Sequence, residues 1–227
     1  MNYKEQAAAA AAKLVKPNQA IGLGAGNTIA FLVDTLAADA ALAATLRFVS
    51  SSTDTADRIK QHGLALIDAG SIDTIDIYFD GCDQLDNYLN ALKSGAGIHT
   101  DEKMLAGMAK EFILLGDAAK LTQNLNTQYS LTVEVLPTVL TAVSNSLNQH
   151  FDIRSITVRT NNDNQFAQNS RGALLLDVYF NNLPELTTLN NIKMWPGIID
   201  HSLFYKMATA AVIAGADGVQ HLTPAVD

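Results

Sequence analysis

Residues 75–86 read IDIYFDGCDQLD, and this stretch joins a strand-like segment to a cluster of acidic residues. Its first half is apolar from Ile77 to Phe79, as expected for a buried strand. The apolar run then stops at two carboxylates, Asp80 and Asp83, the first of which stands beside a glycine. A strand that ends in this way leads either into a solvated turn or into a place where a ligand binds.

Strand-like and helix-like segments alternate on both sides of this stretch. The run KEQAAAAAAKLV predicts a helix that ends at residues 16–17 and packs its small side chains close to a sheet. Further strands are predicted at 20–23, 47–49, 64–67, 75–79 and 112–115, and further helices at 28–38, 54–62 and 101–109. This alternation predicts a wound parallel sheet with helices on its faces.

The pattern changes after Asn126. Strands are predicted at 129–135, 153–160, 173–179 and 197–203, and helices at 137–149 and 184–191. The order β-α-β-β-α-β is the split βαβ pattern of a small α+β domain of ferredoxin-like kind, with the asparagine-rich hinge NNDNQFAQNS between its middle strands. The tail ATAAVIAGADGVQHL returns to short apolar strands and is predicted to rejoin the first sheet. We therefore predict one domain from residues 1–127 with 204–227, and a smaller inserted domain from residues 128–203.

Composition narrows the possible partners. The chain has 227 residues, of which 48% are hydrophobic, so it can form substantial cores. Its net charge of −8 argues against a nucleic-acid or anionic-membrane surface, and an anionic ligand would need a local basic pocket. The single cysteine, Cys82, fits a reducing compartment, and no secretory signal or membrane-spanning run is recognised. We expect a cytoplasmic protein.

Four loops are predicted to meet at one edge of the first sheet, because the carboxyl ends of parallel strands lie together. They are the glycine loop GLGAGNT, the serine run SSST, the acidic segment DGCD, and the stretch GDAAK that ends at Lys120. A fifth segment, LKSGAGIHTDEK, brings Lys93 and Glu102. The small residues of the glycine loop would let backbone N–H groups approach a phosphate.

Each of these segments also has an ordinary structural explanation. The glycine loop lacks the third glycine of a dinucleotide fingerprint and the lysine of a P-loop, so a simple turn is equally well supported. The serines fit a helix N-cap, the aspartates a capped turn, and the lysines a solvated surface. Glu102 fits the first turn of a helix, where the dipole favours an acid. Cys82 fits a buried filler better than a nucleophile, and the histidines show no metal-ligand spacing.

Taken together, the segments resemble ribose-5-phosphate isomerases of the A type over nearly the whole chain. The resemblance rests on the order and spacing of GLGAGNT, VSSST, FDGCDQLD, LKSGAGIHTDEK, FILLGDAAK, LTVEVLP, GALLLDV and PGIID. It implies a Rossmann-like domain with a smaller α/β domain, which agrees with the division drawn from the residues.

The resemblance implies the interconversion of D-ribose 5-phosphate and D-ribulose 5-phosphate in the pentose phosphate pathway, without a metal or organic cofactor. Such an isomerase must open the sugar ring and move a proton between adjacent carbons through an enediolate, which one carboxylate can do if it reaches both carbons. By the resemblance, Glu102 is this base. Lys93 and the N–H groups of the SGAG loop would offset charge on the sugar oxygens, and Asp80 and Asp83 would bind hydroxyls and assist ring opening.

The resemblance also implies how the phosphosugar is held. The phosphate would lie against Gly26, Asn27, Thr28 and Ser51, with Lys4 of the first helix completing the charge. The remaining substrate-binding candidates are Ala25, Gly81, Cys82, Ser94, Gly95, Ala96 and Lys120. The family also suggests a homodimer or homotetramer.

The chain departs from the family pattern at several positions. Ala25 and Asn27 each replace a hydroxyl, and Ser94 and Ala96 replace two of three glycines, where a Cβ would strain a loop of positive φ. Gln84 and Asp101 stand where glutamate and arginine are common. An anion at position 101 should favour the protonated form of the neighbouring Glu102.

Three alternatives remain open at this stage. The first is a sugar-phosphate sensor like the effector domains of some sugar-operon repressors, although no DNA-binding segment precedes Lys4. The second is a relative of the coenzyme A transferases, in which a glutamate is the nucleophile. The third is an isomerase for another pentose phosphate.

Overall fold

The computed structural model describes residues 2–161 and 163–225. The helices are α1 (Tyr3–Ala12), α2 (Asn27–Ala38), α3 (Ala40–Ala43), α4 (Thr53–Gln61), α5 (His99–Met108), α6 (Leu140–His150) and α7 (Leu186–Asn191). The strands are β1 (Ala20–Leu23), β2 (Arg47–Ser50), β3 (Ile75–Gly81), β4 (Gln84–Leu85), β5 (Ala91–Leu92), β6 (Ala109–Asp117), β7 (Leu131–Val135), β8 (Ile153–Val158), β9 (Leu174–Phe180), β10 (Ile198–His201), β11 (Leu203–Phe204), β12 (Ala210–Gly215) and β13 (Gly218–Leu222). Short 3₁₀ turns lie at Ala69–Ser71, Ala118–Lys120, Pro137–Val139 and Ile192–Met194.

The principal sheet has six strands in the order β13-β12-β6-β3-β1-β2. The pairs from β12 through to β2 are parallel, and the edge strand β13 runs antiparallel to β12. Every residue of β1 is buried, as expected for a central strand of a sheet that is covered on both faces. The wound parallel sheet and the return of the tail to it are therefore confirmed.

Helix α1 packs its alanine face against this sheet. It contacts α2, β6 and β12, and Ala7, Ala8 and Ala11 have no exposed surface. The close packing of a small-residue helix is as predicted, but the helix ends at Ala12 rather than at residues 16–17. Residues 13–15 continue as a tight turn whose N–H groups bond to carbonyls three residues back, which ends the α-helical ladder early.

A second sheet has four strands in the order β10-β7-β9-β8, and all its neighbours are antiparallel. Helix α6 joins β7 to β8, while β9 lies between them, which is the predicted split βαβ arrangement. The core beneath this sheet includes Val133, Leu176 and Leu189, all fully buried. The exact division of the chain at residues 128 and 203 stays a prediction.

A third sheet was missed by the sequence analysis. It joins β11, β5 and β4, each of which is only two residues long. The single strand predicted at 197–203 is wrong, because the chain leaves the second sheet after β10 and enters this third sheet as β11. The pairing of Leu203 with Leu92 places the third sheet directly before Lys93.

The strand predicted at 64–67 is also wrong. This segment makes a single parallel bridge, between Phe48 and Leu66, instead of a ladder. The N–H of Leu66 bonds to the carbonyl of Leu64, and this tight turn bends the segment away from an extended course. Within the described residues, no helix is long and apolar enough to span a membrane.

Candidate active site

The carboxyl ends of β1, β3 and β6 surround a cavity of about 350 Å³, here called the Glu102 cavity. Its lining is formed by Ala25, Gly26, Asp54, Gly81, Cys82, Asp83, Lys93, Gly95, Ala96, Glu102 and Lys120. The glycine loop, the acidic segment DGCD, the stretch that ends at Lys120 and the segment LKSGAGIHTDEK therefore meet where they were expected, whereas the serine run lines a neighbouring cavity.

Asp80 ends the apolar part of β3 and is fully buried. Its Oδ1 accepts hydrogen bonds from the N–H groups of Gly81 at 2.7 Å and Ala25 at 3.2 Å, and its Oδ2 accepts the Tyr78 hydroxyl at 2.8 Å. A Cβ on Gly24 would come within 2.0 Å of this carboxylate, so the glycine loop can approach Asp80 only with glycine there. Asp80 thus ties the glycine loop to the end of β3.

Lys93 lies between two buried carboxylates. Its Nζ is 3.0 Å from Oδ1 of Asp80 and 3.3 Å from Oε1 of Glu102, and it donates a 2.5 Å hydrogen bond to the carbonyl of Gly81. Burial alone would lower the pKa of Lys93, but the charges of Asp80 and Glu102 outweigh burial and raise the pKa above its ordinary value. Lys93 is therefore a fixed cation at neutral pH.

Glu102 stands in the first turn of α5, and only 3% of its surface is exposed. Burial, followed by the charge of Asp80, raises its pKa from 4.5 to about 8, while Lys93 acts in the opposite direction. A carboxyl group with this pKa can both accept and donate a proton near neutral pH, which general acid–base chemistry requires.

Asp83 fixes the loop that follows Lys93. Its Oδ2 accepts the N–H groups of Ser94 at 2.6 Å and Gly95 at 3.1 Å, so these two donors are already engaged. The Ser94 hydroxyl bonds to the carbonyl of Ser130 and to the Ser202 hydroxyl and is buried, so it points away from the cavity. Ser94 therefore links the loop after Lys93 to Ser130 and Ser202.

Arg159 holds the same loop from the second sheet. Its guanidinium donates to the carbonyl of Gly95 at 3.0 Å and to that of Ser94, and it pairs with Asp177 at 2.7 Å. Arg159 was missed as a site residue because nothing in its sequence neighbourhood marks it as close to the SGAG loop.

The candidate phosphate-binding residues are distributed over three cavities. Ala25 and Gly26 line both the Glu102 cavity and a second one of about 580 Å³, which also contains Ser51 and is here called the Ser51 cavity. Lys4 and Asn27 line a third cavity of about 350 Å³, together with Tyr3, Phe31, Asn2 and Asp117. Thr28 is buried in the first turn of α2.

Cys82 and Lys120, also predicted from the sequence, line the Glu102 cavity. Lys120 donates a 2.5 Å hydrogen bond from Nζ to the Cys82 carbonyl. Burial raises the pKa of the Cys82 thiol to about 11, against the opposing charges of Lys120 and Lys93. The thiol is therefore protonated at neutral pH and is not a nucleophile.

Asp54 is a cavity residue that the sequence analysis missed. It lines both the Glu102 and the Ser51 cavities from the exposed first turn of α4. Asp54 directly follows the serine run SSST and begins the helix predicted at 54–62, so its sequence context indicates a helix start rather than a binding residue.

The departures from the family pattern are accommodated. Described non-glycine residues with positive φ are Asn18, Leu89, Asn164 and Lys206, so none of the substituted loop positions carries that strain. Gln84 is buried and exchanges two hydrogen bonds with Asn126, at 2.8 and 2.9 Å, outside the lining of the Glu102 cavity. Asp101 pairs with Arg171 at 2.6 Å, and the raised pKa of Glu102 has burial and Asp80 as its main causes rather than Asp101.

Among residues 2–161 and 163–225, no group of three or more His, Cys, Asp and Glu residues is placed to hold a metal ion.

Comparison with known proteins adds independent information. The family model described as ribose 5-phosphate isomerase A (phosphoriboisomerase A) matches residues 47–218. A protein of Rhodopseudomonas palustris named ribose-5-phosphate isomerase A is 30% identical over 222 residues, which cover 96% of this chain and 95% of the relative. The Homo sapiens protein named ribose-5-phosphate isomerase is 33% identical over 210 residues, covering 90% of this chain and 67% of that protein.

A solved D-ribose-5-phosphate isomerase in complex with phospho-erythronic acid superposes with a TM-score of 0.91 at 25% identity, covering 98% of this chain and 100% of that one. The match extends over both the parallel sheet and the smaller antiparallel sheet, so it confirms the predicted fold class. Sequence and structure agree on one conclusion: this chain belongs to the ribose 5-phosphate isomerase A family, a family of enzymes, as the sequence motifs had predicted.

Proposed function

We propose that the protein interconverts D-ribose 5-phosphate and D-ribulose 5-phosphate through an enediolate, with Glu102 as the base that carries the proton. The observation that supports this most strongly is the buried arrangement of Glu102, Lys93 and Asp80 at a cavity large enough for a pentose phosphate. A carboxyl with a pKa near 8 and a fixed ammonium 3.3 Å away are the two groups that an enediolate mechanism needs.

The sugar keeps the same number of protons through the whole reaction. After ring opening, ionised Glu102 takes the proton from C2 of the aldose, and the electron pair of that bond forms the C1–C2 double bond while the carbonyl oxygen becomes an enediolate oxygen. Glu102 then returns the proton to C1, the proton of the C2 hydroxyl passes to the C1 oxygen, and C2 becomes the ketone. Lys93 lowers the energy of the enediolate because its positive charge is already in place before the reaction.

Asp80 and Asp83 have different proposed parts. Asp80 is buried and fully engaged, so we assign it to holding Lys93 and the glycine loop in place. Asp83 lines the cavity, where its carboxylate can accept sugar hydroxyls and assist ring opening.

For the phosphate we propose the edge shared by the Glu102 and Ser51 cavities. There Gly26, with φ of +98° and open space around its Cα, begins the exposed N-terminus of α2, a 12-residue helix. Ser51 lines the Ser51 cavity together with Ala25 and Gly26. Lys4 and Asn27 line the neighbouring cavity, from which Lys4 would contribute a positive charge and Asn27 a hydrogen bond. The complex of a solved relative with phospho-erythronic acid supports an anionic ligand of this class.

The test is isomerisation of ribose 5-phosphate by the purified protein in the presence of a chelator, comparing wild type with Glu102→Gln. We expect turnover to fall by at least about 10³-fold, because the amide cannot accept the proton. Glu111→Gln is the matched control, since Glu111 is an exposed glutamate on β6. Equal rates for wild type and Glu102→Gln would refute the assignment. Assays with other pentose phosphates would show which sugar is preferred.

We further propose a cytoplasmic homodimer or homotetramer. The oligomer is what the family resemblance implies, and the single cysteine, Cys82, fits a reducing compartment. Analytical ultracentrifugation of the purified chain tests the oligomeric state.

A further inference from the structure

The two residues that precede Glu102 are held by side chains of the second sheet and of the loop that leads into it. The Thr100 hydroxyl donates to Oε2 of Glu134 on β7. The Asp101 carboxylate accepts a 2.6 Å hydrogen bond from Nη1 of Arg171, which lies in the loop before β9. Helix α5 has no side-chain hydrogen bond at its N-cap, Ile98, so the start of this helix depends on these contacts.

Glu134 joins the contacts into one network. It is fully buried, and it also accepts hydrogen bonds from Asn169 Nδ2 at 2.6 Å and from Arg171 Nε and Nη2 at 3.0 and 3.2 Å. Burial would raise the pKa of Glu134, but its bonds from Arg171, Thr100 and Asn169 outweigh burial and lower the pKa. Glu134 is therefore ionised, and a buried carboxylate binds a guanidinium tightly and directionally.

Arg171 is the centre of this network, because one planar group bridges Glu134 in the sheet and Asp101 on the helix. A lysine has a single nitrogen and cannot reproduce that geometry. The bridge acts on the first turn of α5, the same turn that directs the Glu102 carboxylate towards Lys93.

We propose that Arg171 is a positioning residue that keeps the Glu102 carboxylate within reach of Lys93 Nζ by clamping the first turn of α5 to the second sheet. This inference rests on the proposed role of Glu102 as the base. Arg171 does not line the Glu102 cavity, so it acts through the helix rather than on the substrate. A displacement of about 1 Å at a reacting group can cost about 10²-fold in rate.

The test compares Arg171→Gln, Arg171→Lys and Asp101→Asn with the control Arg154→Gln. Arg154 is an exposed arginine on β8 of the same sheet, where it contacts the Tyr179 ring and not α5. We expect kcat to fall about 30-fold in Arg171→Gln with KM changed less than about threefold, and about fivefold in Asp101→Asn. Arg171→Lys should recover part of the loss, and Arg154→Gln should stay within about twofold of wild type.

Two further measurements distinguish a positioning role of Arg171 from a role in stability alone. Each variant is melted, and kinetics are recorded well below its melting temperature, so that a lower folded fraction cannot imitate a lower kcat. Arg171→Gln is also combined with Glu102→Gln, and we expect no additional loss, because a positioning effect needs the group that it positions.

A kcat loss under about threefold in folded Arg171→Gln, or an equal loss in Arg154→Gln, would overturn the proposal. If Arg171→Gln does not fold, Asp101→Asn decides: a loss of about threefold or more supports the clamp, and an unchanged kcat refutes it. If Glu102→Gln alone retains full activity, the proposed base fails first, and this outcome is distinct from failure of the clamp.

Discussion

Replacing Lys93 with methionine tests the electrostatic core of the proposed mechanism. The substitution keeps most of the side-chain volume but removes the charge that lies 3.3 Å from Glu102. At an effective dielectric constant of about 20, two unit charges at the 3.3 Å separation of Lys93 and Glu102 attract by roughly 5 kcal/mol. At about 1.4 kcal/mol for each factor of ten, the ionised fraction of Glu102 at pH 8 should fall by more than about 10³-fold.

The pH profile gives the sharpest assay. In wild type we expect kcat to rise as pH increases through about 8, because ionised Glu102 is the base and its pKa is raised to about 8 by burial and Asp80. In Lys93→Met the rising limb should move to higher pH, so the loss in kcat should be larger at pH 8 than at pH 10. KM should change much less than kcat, because Lys93 acts mainly on the enediolate.

Two measurements guard this prediction. Lys110→Met is the matched control, since Lys110 is exposed and pairs at 2.7 Å with Asp76, near the start of β3, whereas the Glu102 cavity lies at the other end of this strand. Lys93→Met leaves the carboxylates of Asp80 and Glu102 buried together without a cation, which could destabilise the fold. Thermal melting therefore shows whether this variant is folded. If folded Lys93→Met loses less than about tenfold in kcat at pH 8, or if only its KM changes, the electrostatic reasoning is wrong.

Two further predictions concern His99 and Asp54. Neither ring nitrogen of His99 has a hydrogen-bond partner within the described residues, and burial with the Lys103 charge lowers its pKa to about 3. Below pH 6.5 the unfolded chain therefore binds a proton at His99 that the folded chain does not bind, so the free energy of unfolding decreases as pH falls from 6.5 towards 3. His99→Leu should raise the free energy of unfolding by about 1–3 kcal/mol at pH 7 and by more at pH 5. A melting temperature of His99→Leu below that of wild type at pH 5 would contradict this. Asp54→Asn removes an exposed carboxylate that lines both the Glu102 and the Ser51 cavities and would repel a bound phosphate. KM for the phosphosugar should therefore fall by about two- to fivefold at low salt, with kcat unchanged. An unchanged KM would place the phosphate elsewhere.

The parts of the fold that the sequence predicts well are those with long, regular patterns. Strand β3 was predictable because its mostly apolar run covers residues 75–79 of the strand Ile75–Gly81. The third sheet was not, because two-residue strands such as Ala91–Leu92 have no period to detect. The segment at 64–67 has the composition of a strand, but the local turn at Leu66 prevents a ladder, and composition does not report such a turn.

The candidate site shows the same limit at the level of side chains. Residue types and spacing were enough to bring Asp83, Lys93 and Glu102 to one cavity. They could not show that the Ser94 hydroxyl turns towards Ser130, because side-chain direction depends on packing against a distant strand. Nor could they pair Arg171, in the loop before β9, with Glu134, which lies 37 residues earlier on β7.

The strand order of the principal sheet has a consequence for how this chain acquires its structure. Strand β6 pairs with β3 on one side and with β12 on the other, although the whole second sheet is inserted between β6 and β12. During synthesis one edge of β6 therefore remains unpaired until the inserted segment has been made, and an exposed apolar edge of this kind invites association with other chains. Rapid, autonomous collapse of the inserted segment would shorten that interval by bringing the two distant ends together.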